Sequence, residues 1–487
     1  MKLFRVFFYK KSAKAIFLYK KALTFPFLYA KMYAINRGAN EHQYVAPSEF
    51  FGQAYASRHT ERVSSPKRIP VPFALGIREN TRMTVTVRDE LFSARAFRSF
   101  YTAYFRTGTF PVFLFYFETI FYKKGDTIMK QFNVGVIGAT GMVGQRFMLL
   151  LENHPWFNVV VLAASARSAG KTYKEAVGEK WAFDVEMPAK YRDMLVMDAE
   201  NDMDEIAKKV DFVFCAVNMD KAKIRALEEA YAKKEVPVVS NNSAHRFTAD
   251  VPMVIPEINP DHVEVIASQR ERLGTKRGFI AVKSNCSLQS YVPLLHPLKA
   301  FGIKEAAVCT YQAISGAGKT FKTMPEILDN VIPYIGGEEE KSEKEPLKIW
   351  GSVENGEIVS ATSPSITAQC LRVPVSDGHT AAVFVKFENK PTKEEILSAW
   401  ANFKGEPQAL MLPSAPEQFL QYFEEDNRPQ AKLDRMAGNG MSVTVGRLRE
   451  DTVFDYKFVG LSHNTLRGAA GGAVLLAELL AAKGYFD

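Results

Sequence analysis

The stretch FNVGVIGATGMVGQRFMLLL, residues 132–151, decides the fold. Its first half is a short, nearly continuous apolar run of strand character, and its second half spaces apolar residues as a helix does. Between them Gly138, Gly141 and Gly144 stand in GxxGxxG spacing. Phosphate recognition at a helix start needs small residues for the turn, close backbone approach and unshielded amide donors. A purely structural glycine turn has the same spelling. The position in the first strand-to-helix connection is what points to a dinucleotide.

Downstream the alternation continues. FNVVVLAASA (157–166), DFVFCAVN (211–218) and VPVVSNNS (236–243) read as strands, and DMDEIAKKV (202–210) and DKAKIRALEEAYAKKE (220–235) as helices. Short apolar strands separated by helices imply a parallel sheet covered on both faces, a βαβ domain over 129–283. A sheet that holds unphosphorylated ribose usually ends its second strand on an acid. Here VLAASARSAGK (161–171) offers Ser165, Arg167, Ser168 and Lys171 and no acid. A 2'-phosphate would gain charge-assisted hydrogen bonds from Arg167 and the hydroxyls, which favours NADP. The plain alternative is a solvated basic loop.

From Ser284 the texture changes. IKEAAVCTYQAI (303–314) and DGHTAAVFVKFE (377–388) are longer, alternating strands, which suggest a mixed or antiparallel sheet with helices on one side. GGEEEKSEKEPLKIWG (336–351) reads as a long polar connection. PTKEEILSAWANFK (391–404) has helix-start chemistry, with Thr392 as cap and Glu395 three residues on. The tail from Asn464 closes with an apolar helix whose Leu and Ala positions suit packing onto the first domain. No internal repeat or heptad run interrupts this pattern.

The four cysteines, 215, 286, 309 and 370, are too few and scattered for a disulfide scaffold and lack the CxxC spacing of a structural zinc site. They read as free thiols in a reducing compartment. Cys215, Cys309 and Cys370 sit in apolar or strand-like runs and suit packing. Cys286 stands in SNCS (284–287), flanked by small polar residues and followed by a helical pattern, where backbone donors at a helix start would stabilise a thiolate. A buried filler remains the other reading of that thiol. Asn285 suits orienting a bound carbonyl or capping its own backbone.

A thiolate nucleophile gains from a nearby base. Among eight histidines, His379 follows a glycine turn and immediately precedes a strand, where it can face a cleft or serve as a satisfied structural imidazole. An acid/base works best with a pKa near the working pH. Arg372 suits bidentate carboxylate binding, and Glu338 with Lys341, three apart, fits one helical face or an ordinary solvated charge run. GAGKTF (316–321) lacks full P-loop spacing, since the residue five before Gly318 is Ala313, so nucleotide hydrolysis is not expected. The Ser315–Gly318 turn more naturally borders the second pocket.

The formal charge of +8 invites a nucleic-acid or membrane reading. Its distribution argues otherwise: residues 1–128 carry 21 Lys and Arg against 8 Asp and Glu, and the remainder 41 against 46. The same segment holds 18 of the 36 Phe, yet its apolar runs fall short of the roughly 18–20 residues a spanning helix needs. Three readings fit it: an upstream stretch joined by an early start before Met129, a targeting or membrane-surface arm, or an extra domain. No nucleic-acid recognition module and no transmembrane segment is expected.

Taken in order, GATGMVGQRF, SNCS, QAISGAGK, RVPVSDGH and NTLRGAAGGA make 129–487 resemble the aspartate-semialdehyde dehydrogenases, in the branch found in archaea, fungi and some bacteria. The resemblance implies an α/β chain with an N-terminal Rossmann-type NADP-binding domain (129–283). An α+β catalytic and dimerisation domain with a mixed sheet (284–463) follows, then a C-terminal helix segment (464–487). It implies Cys286 as nucleophile and His379 as acid/base. Asn285, Gln312, Glu338, Lys341 and Arg372 become substrate contacts, and no metal is implied. Gly138, Thr140, Gly141, Met142 and Val143 become the cofactor phosphate loop and Ser165, Arg167 and Ser168 its 2'-phosphate region. Ser315, Gly316 and Asn464, with Gly468 nearby, lie toward the nicotinamide. The implied activity is NADPH-dependent reductive dephosphorylation of L-4-aspartyl phosphate to L-aspartate 4-semialdehyde and inorganic phosphate. It would be carried by a cytoplasmic homodimer or homotetramer at the branch toward threonine, methionine, isoleucine and lysine. A malonyl-CoA reductase, which resembles the same branch and expels CoA instead of phosphate, is the alternative.

Overall fold

The computed structural model describes residues 131–487 and, before them, only four two-residue strands, so the sequence readings that fall on 1–128 lie outside the described residues. The chain opens with β1 (Phe132–Ile137) and α1 (Met142–Leu151), as the opening stretch predicts. β2 (Phe157–Ala164), β3 (Val196–Asp198), β4 (Phe212–Cys215), β5 (Val238–Ser240), β6 (Met253–Val254) and β7 (Ile280–Lys283) complete a seven-stranded sheet. Its order is β6-β7-β5-β4-β1-β2-β3, with every pair parallel. Strand order reverses direction at β1, between β4 and β2, and ligands of such sheets bind outside the carboxyl ends of the strands at that reversal. All four residues of β4 are buried, and all four of β7 likewise, the continuous burial expected of strands covered on both faces.

The second sheet is mixed, with six strands. These are β8 (Ile303–Gln312), β9 (Ser365–Arg372), β10 (His379–Phe387), β11 (Leu420–Phe423), β12 (Val443–Glu450) and β13 (Tyr456–Ser462), ordered β9-β8-β10-β13-β12-β11. β8 pairs parallel with β9 and antiparallel with β10. β10 alternates buried and half-buried residues: Ala381, Val383 and Val385 enter the core, while Thr380, Ala382 and Phe384 face away. The predicted helix at 391–404 is present at Lys393–Asn402, with Thr392 and Glu395 forming a reciprocal capping box.

Two sequence expectations need correction. GGEEEKSEKEPLKIWG is not a connection: Glu338–Ile349 form helix α2, and Glu338, Ser342, Glu345 and Ile349 repeat at helical spacing along its buried side. The run looks solvated because its buried stripe is polar rather than apolar. Nor does one helix follow Cys286. Ser287–Ser290 form a 3-10 turn, Val292–Leu295 one α turn, and His296–Phe301 another 3-10 segment. Pro293 and Pro297 remove the donors and impose the crowding that break a continuous helix.

The last helix, α3 (Gly471–Ala482), is buried along nearly its whole length and packs beside β5 and β7 in a core shared with Phe147, Phe214 and Phe279. A helix apolar on all sides must be covered on all sides. Its one carboxylate, Glu478, accepts from Ser414 Oγ at 2.5 Å and pairs with His154 Nε2 at 2.9 Å, so that this buried charge is hydrogen-bonded from two directions. Among the described residues no helix is long and apolar enough to cross a membrane.

The glycine turn after β1 is built by contact. Gly138 has φ +90°, where a side chain is strained, and a methyl there would lie 2.5 Å from the Ala216 carbonyl oxygen. At Gly144 a methyl would lie 2.2 Å from the Gly138 oxygen, inside α1's contact with the turn. Gly144→Ala is therefore expected to destabilise the protein by about 1–3 kcal/mol through overpacking. Thermal melting reads the effect as a lowered midpoint, and an unchanged midpoint contradicts the contact.

Candidate active site

The carboxyl ends of the first sheet meet the second sheet around Cys286. β7 ends at Lys283, and the chain turns through Ser284 and Asn285 into the thiol. That turn is held by carboxylates of α2. Glu345 accepts the Asn285 backbone N–H at 2.6 Å and the Arg246 guanidinium at 2.8 Å. Glu338 accepts the Asn285 side-chain amide at 3.0 Å, Gln312 Nε2 at 3.3 Å and Lys341 Nζ at 2.6 Å. Asn285 Oδ1 in turn accepts from the N–H and hydroxyl of Ser287, at 2.8 and 2.7 Å. Asn285 therefore both caps its own turn and points its amide at the neighbouring carboxylate. Burial works to raise the Glu338 carboxyl, but Lys341, followed by Asn285 and Gln312, outweighs it and holds the group below its ordinary range.

His379 opens β10 directly after Gly378, whose φ is +101°. Its Nε2 lies 3.5 Å from Cys286 Sγ, and its Nδ1 accepts the Ala313 backbone N–H at 3.0 Å. With Nδ1 an acceptor, the neutral ring carries its hydrogen on Nε2, facing the sulfur. Burial, then the Arg372 guanidinium, pushes His379 down to about 3. Enclosure and the neighbouring cation both disfavour the protonated ring here. Burial and Glu338 push the Cys286 thiol up, against Lys283, Arg246 and Arg372. The short 3-10 turn after it offers no full helix end to lower it.

Arg372 ends β9, and its Nη1 donates to the Ala313 carbonyl at 2.7 Å. The N–H and the carbonyl of one residue, Ala313, thus set the histidine and the arginine. Gly316 approaches both: a methyl there would lie 3.0 Å from Arg372 Nη1 and 3.1 Å from His379 Nε2. Asn464 accepts the Gly378 N–H at 2.8 Å and donates to Ser315 Oγ at 2.8 Å, tying both loops to the chain's end. Gly468 lies against the thiol, its added methyl 2.9 Å from Cys286 Cβ. The predicted residues Cys286, His379, Asn285, Gln312, Glu338, Lys341 and Arg372 are thereby linked by direct contacts or through the Ala313 peptide, with Ser315, Gly316 and Asn464 at their rim.

The residues at the first glycine turn fit a dinucleotide phosphate. Gly141 precedes α1 in extended conformation, no side chain caps the helix, and no acid stands in its first turn. The amides of Met142 and Val143, beside Thr140, have no carbonyl four residues back within the helix. A Cβ at Gly138 or Gly144 would fill space the backbone already occupies. Ser165, Arg167 and Ser168 follow β2 on a surface turn closed by Ser168 N–H to Ser165 O at 2.8 Å, with Arg167 exposed. They lie beyond the end of the strand that flanks the glycine turn and make no contact with the cysteine cluster.

Three members of the cluster escaped the sequence reading. Arg246 lies in a loop without motif, and Lys283 looks like a strand terminus. Glu345 hides in a charge run, although its spacing of four and three from Glu338 through Ser342 is a legible helical stripe.

A doubly covered parallel sheet that carries a glycine turn and delivers a cysteine, joined to a mixed sheet that delivers the histidine beside it, defines a dinucleotide-dependent dehydrogenase with a thiol centre. Residues 133–266 match the family profile "Semialdehyde dehydrogenase, NAD binding domain", and residues 295–467 match "Semialdehyde dehydrogenase, dimerisation domain". The chain is 46% identical to the aspartate-semialdehyde dehydrogenase of Methanothermobacter thermautotrophicus, over 72% of this chain and 98% of the relative. It is 45% identical to that of Schizosaccharomyces pombe over the same shares. Among solved structures, aspartate semialdehyde dehydrogenase with NADP from Candida albicans superposes with a TM-score of 0.66 at 39% identity, covering 73% of this chain and 100% of that one. The chain belongs to the aspartate-semialdehyde dehydrogenase family.

Replacing Glu345 by Gln leaves one oxygen for two donors that now share a carboxylate. Removing one partner of a buried pair strands the other charge, so Glu345→Gln is expected to destabilise by about 3–5 kcal/mol. Denaturant unfolding monitored by fluorescence checks it; a loss below about 1 kcal/mol would mean that Arg246 is solvated instead.

Proposed function

We propose that the chain reduces L-4-aspartyl phosphate to L-aspartate 4-semialdehyde and inorganic phosphate with NADPH, reversibly, through a thioester on Cys286. The observation that carries this reading is the 3.5 Å contact between Cys286 Sγ and His379 Nε2, set among cations suited to an acidic acyl phosphate. Sulfur attacks the acyl carbon, the bond to phosphate oxygen breaks, and a thioester remains. When bound, NADPH supplies the hydride that reduces this thioester carbonyl. Collapse of the resulting thiohemiacetal releases the aldehyde and returns the sulfur.

Each side chain has a physical task in that sequence. His379 presents Nε2–H first to sulfur and then to the oxygen that gains charge as the carbonyl becomes tetrahedral. Arg372 holds the substrate carboxylate, for which a planar guanidinium is the better donor, and Lys341, aligned by Glu338, meets the phosphate. Asn285 and Gln312 seat the substrate beside Glu338. Gly138, Thr140, Gly141, Met142 and Val143 hold the cofactor's pyrophosphate, and Ser165, Arg167 and Ser168 its 2'-phosphate. Ser315, Gly316 and Asn464 border the nicotinamide.

The division of labour follows the two sheets: NADP on 129–283, chemistry and pairing on 284–463, and the helix of 464–487 returning to the first domain. A cytoplasmic homodimer or a pair of such dimers fits the dimerisation profile. Its pairing surface would be the half-buried outer face of the second sheet, with Ala307, Cys309, Thr380, Ala382, Phe384 and Val459.

The decisive assay is phosphate-dependent NADP reduction with L-aspartate 4-semialdehyde. Cys286→Ala is expected to lose at least about 1,000-fold in kcat while NADP affinity stays within about twofold. Normal turnover without the sulfur, or no phosphate dependence in the wild type, defeats the proposal.

A further inference from the structure

The glycine turn after β1 has an open side and a closed one, and a single side chain forms much of the closed side. Gly141 is exposed and Met142 and Val143 are half-buried, whereas Gln145, in the first turn of α1, is 1% exposed. A buried primary amide must find partners for its donors and its oxygen. Gln145 finds them on two separate segments. Its Nε2 donates to the Thr140 carbonyl at 3.0 Å and to the Lys180 carbonyl at 3.1 Å, and its Oε1 accepts the Ala182 N–H at 2.9 Å. Exchanging nitrogen and oxygen would set an acceptor against two carbonyls, so the surroundings fix which way the amide points.

These bonds bear on one peptide group. The carbonyl of the Thr140–Gly141 peptide is engaged by Gln145, and its N–H donates to the Gly138 carbonyl at 3.2 Å. A pyrophosphate at the start of α1 is drawn to the amides of Met142 and Val143 and repelled by any carbonyl oxygen that turns toward it. Gly141, on one side of that peptide, offers little steric resistance to such a rotation. Gln145 draws the Thr140 oxygen to the closed side.

The far end of the bridge is itself braced. Phe183, just beyond the Lys180–Ala182 contacts, lies over the Arg146 guanidinium at 3.9 Å, and Trp181 meets the Phe183 ring edge-on with centroids 5.7 Å apart. Arg146 in turn donates to Thr465 Oγ1 at 3.1 Å, beside Asn464. Gln145 therefore ties the glycine turn to a packed segment.

We propose that Gln145 is a positioning residue for NADP: acting through the Thr140 carbonyl, it holds the turn with its amides open to the pyrophosphate and its carbonyl turned away. Gln145 itself does not touch the cofactor. This inference rests on the glycine turn being the pyrophosphate site of the proposed reaction, and it adds a residue that acts on that site from behind.

The test is calorimetric titration of the full chain with two probes, NADP and adenosine 2'-monophosphate, which carries the 2'-phosphate and no pyrophosphate. Gln145→Leu is expected to weaken NADP binding about tenfold. Adenosine 2'-monophosphate, which bypasses the turn, should stay within about twofold of the wild type. Gln145→Glu keeps the size and the acceptor for Ala182 but sets a carboxylate oxygen against the Thr140 and Lys180 carbonyls, so its loss of NADP affinity should be at least as large. Unchanged NADP affinity in Gln145→Leu overturns the proposal. An equal loss for both probes overturns it as well, since a domain loosened as a whole would give that result. Should Gln145→Leu fail to fold, the same two outcomes in Gln145→Glu decide the matter. Because only binding is read, a wild type that binds NADP without turning over the semialdehyde would remove the proposed function and leave this comparison standing.

Discussion

The placement of Cys286 depends on one carboxylate. Glu345 reaches from α2 to the backbone N–H of Asn285 and to Arg246, so that a helix of the second half, a loop of the first half and the thiol's turn share a single buried group. Two oxygens serve two donors, and neither donor has a comparable substitute nearby. A strand terminus would otherwise be free to vary in direction. Here β7 must deliver Cys286 at the height where β10 delivers His379.

Around this joint the protein uses charge sparingly. The cations of the cluster are matched by carboxylates or carbonyls that aim them; Lys283 and His379 are buried, and Cys286 is half-buried. Low polarity makes each remaining interaction stronger and each unmatched charge dearer. It also disfavours a second proton on His379: burial and the Arg372 guanidinium outweigh the Glu338 carboxylate, which acts the other way. The Ala313 N–H on Nδ1 fixes the orientation of the ring and turns Nε2 to the sulfur.

Much of this was legible in the sequence, and the parts that were not share a cause. The glycine turn, the alternation of strands and helices, the capping box at Thr392 and the strand after His379 are local signals, set by backbone conformation and apolar spacing. Cys286, His379 and Arg372 could be named from short motifs, but their mutual distance could not, since it depends on β8, β9 and β10 pairing across sixty residues of chain or more. α2 was misjudged because apolar periodicity is the usual guide to burial, and its inner stripe carries Glu, Ser and Glu. The helix expected after Cys286 ignored two prolines within five residues of each other. Lys283 and Arg246 acquire meaning only from what surrounds them in space.

The chain's end completes the geometry rather than merely covering it. Asn464 fixes the turn before His379, Gly468 presses its bare backbone on Cys286, and Arg467 pairs with Glu257 while donating to Gln289 at 3.0 Å in the turn that follows the thiol. These contacts fall within five residues, directly ahead of a helix that is buried from Gly471 to Ala481. The burial of α3 therefore does two things at once. It stabilises the first sheet by apolar contact, and it holds those residues against the site with a firmness that an exposed tail lacks. A side chain at 468 would force the cysteine and the tail apart, which is the physical reason that a small residue stands where the last segment crosses Cys286.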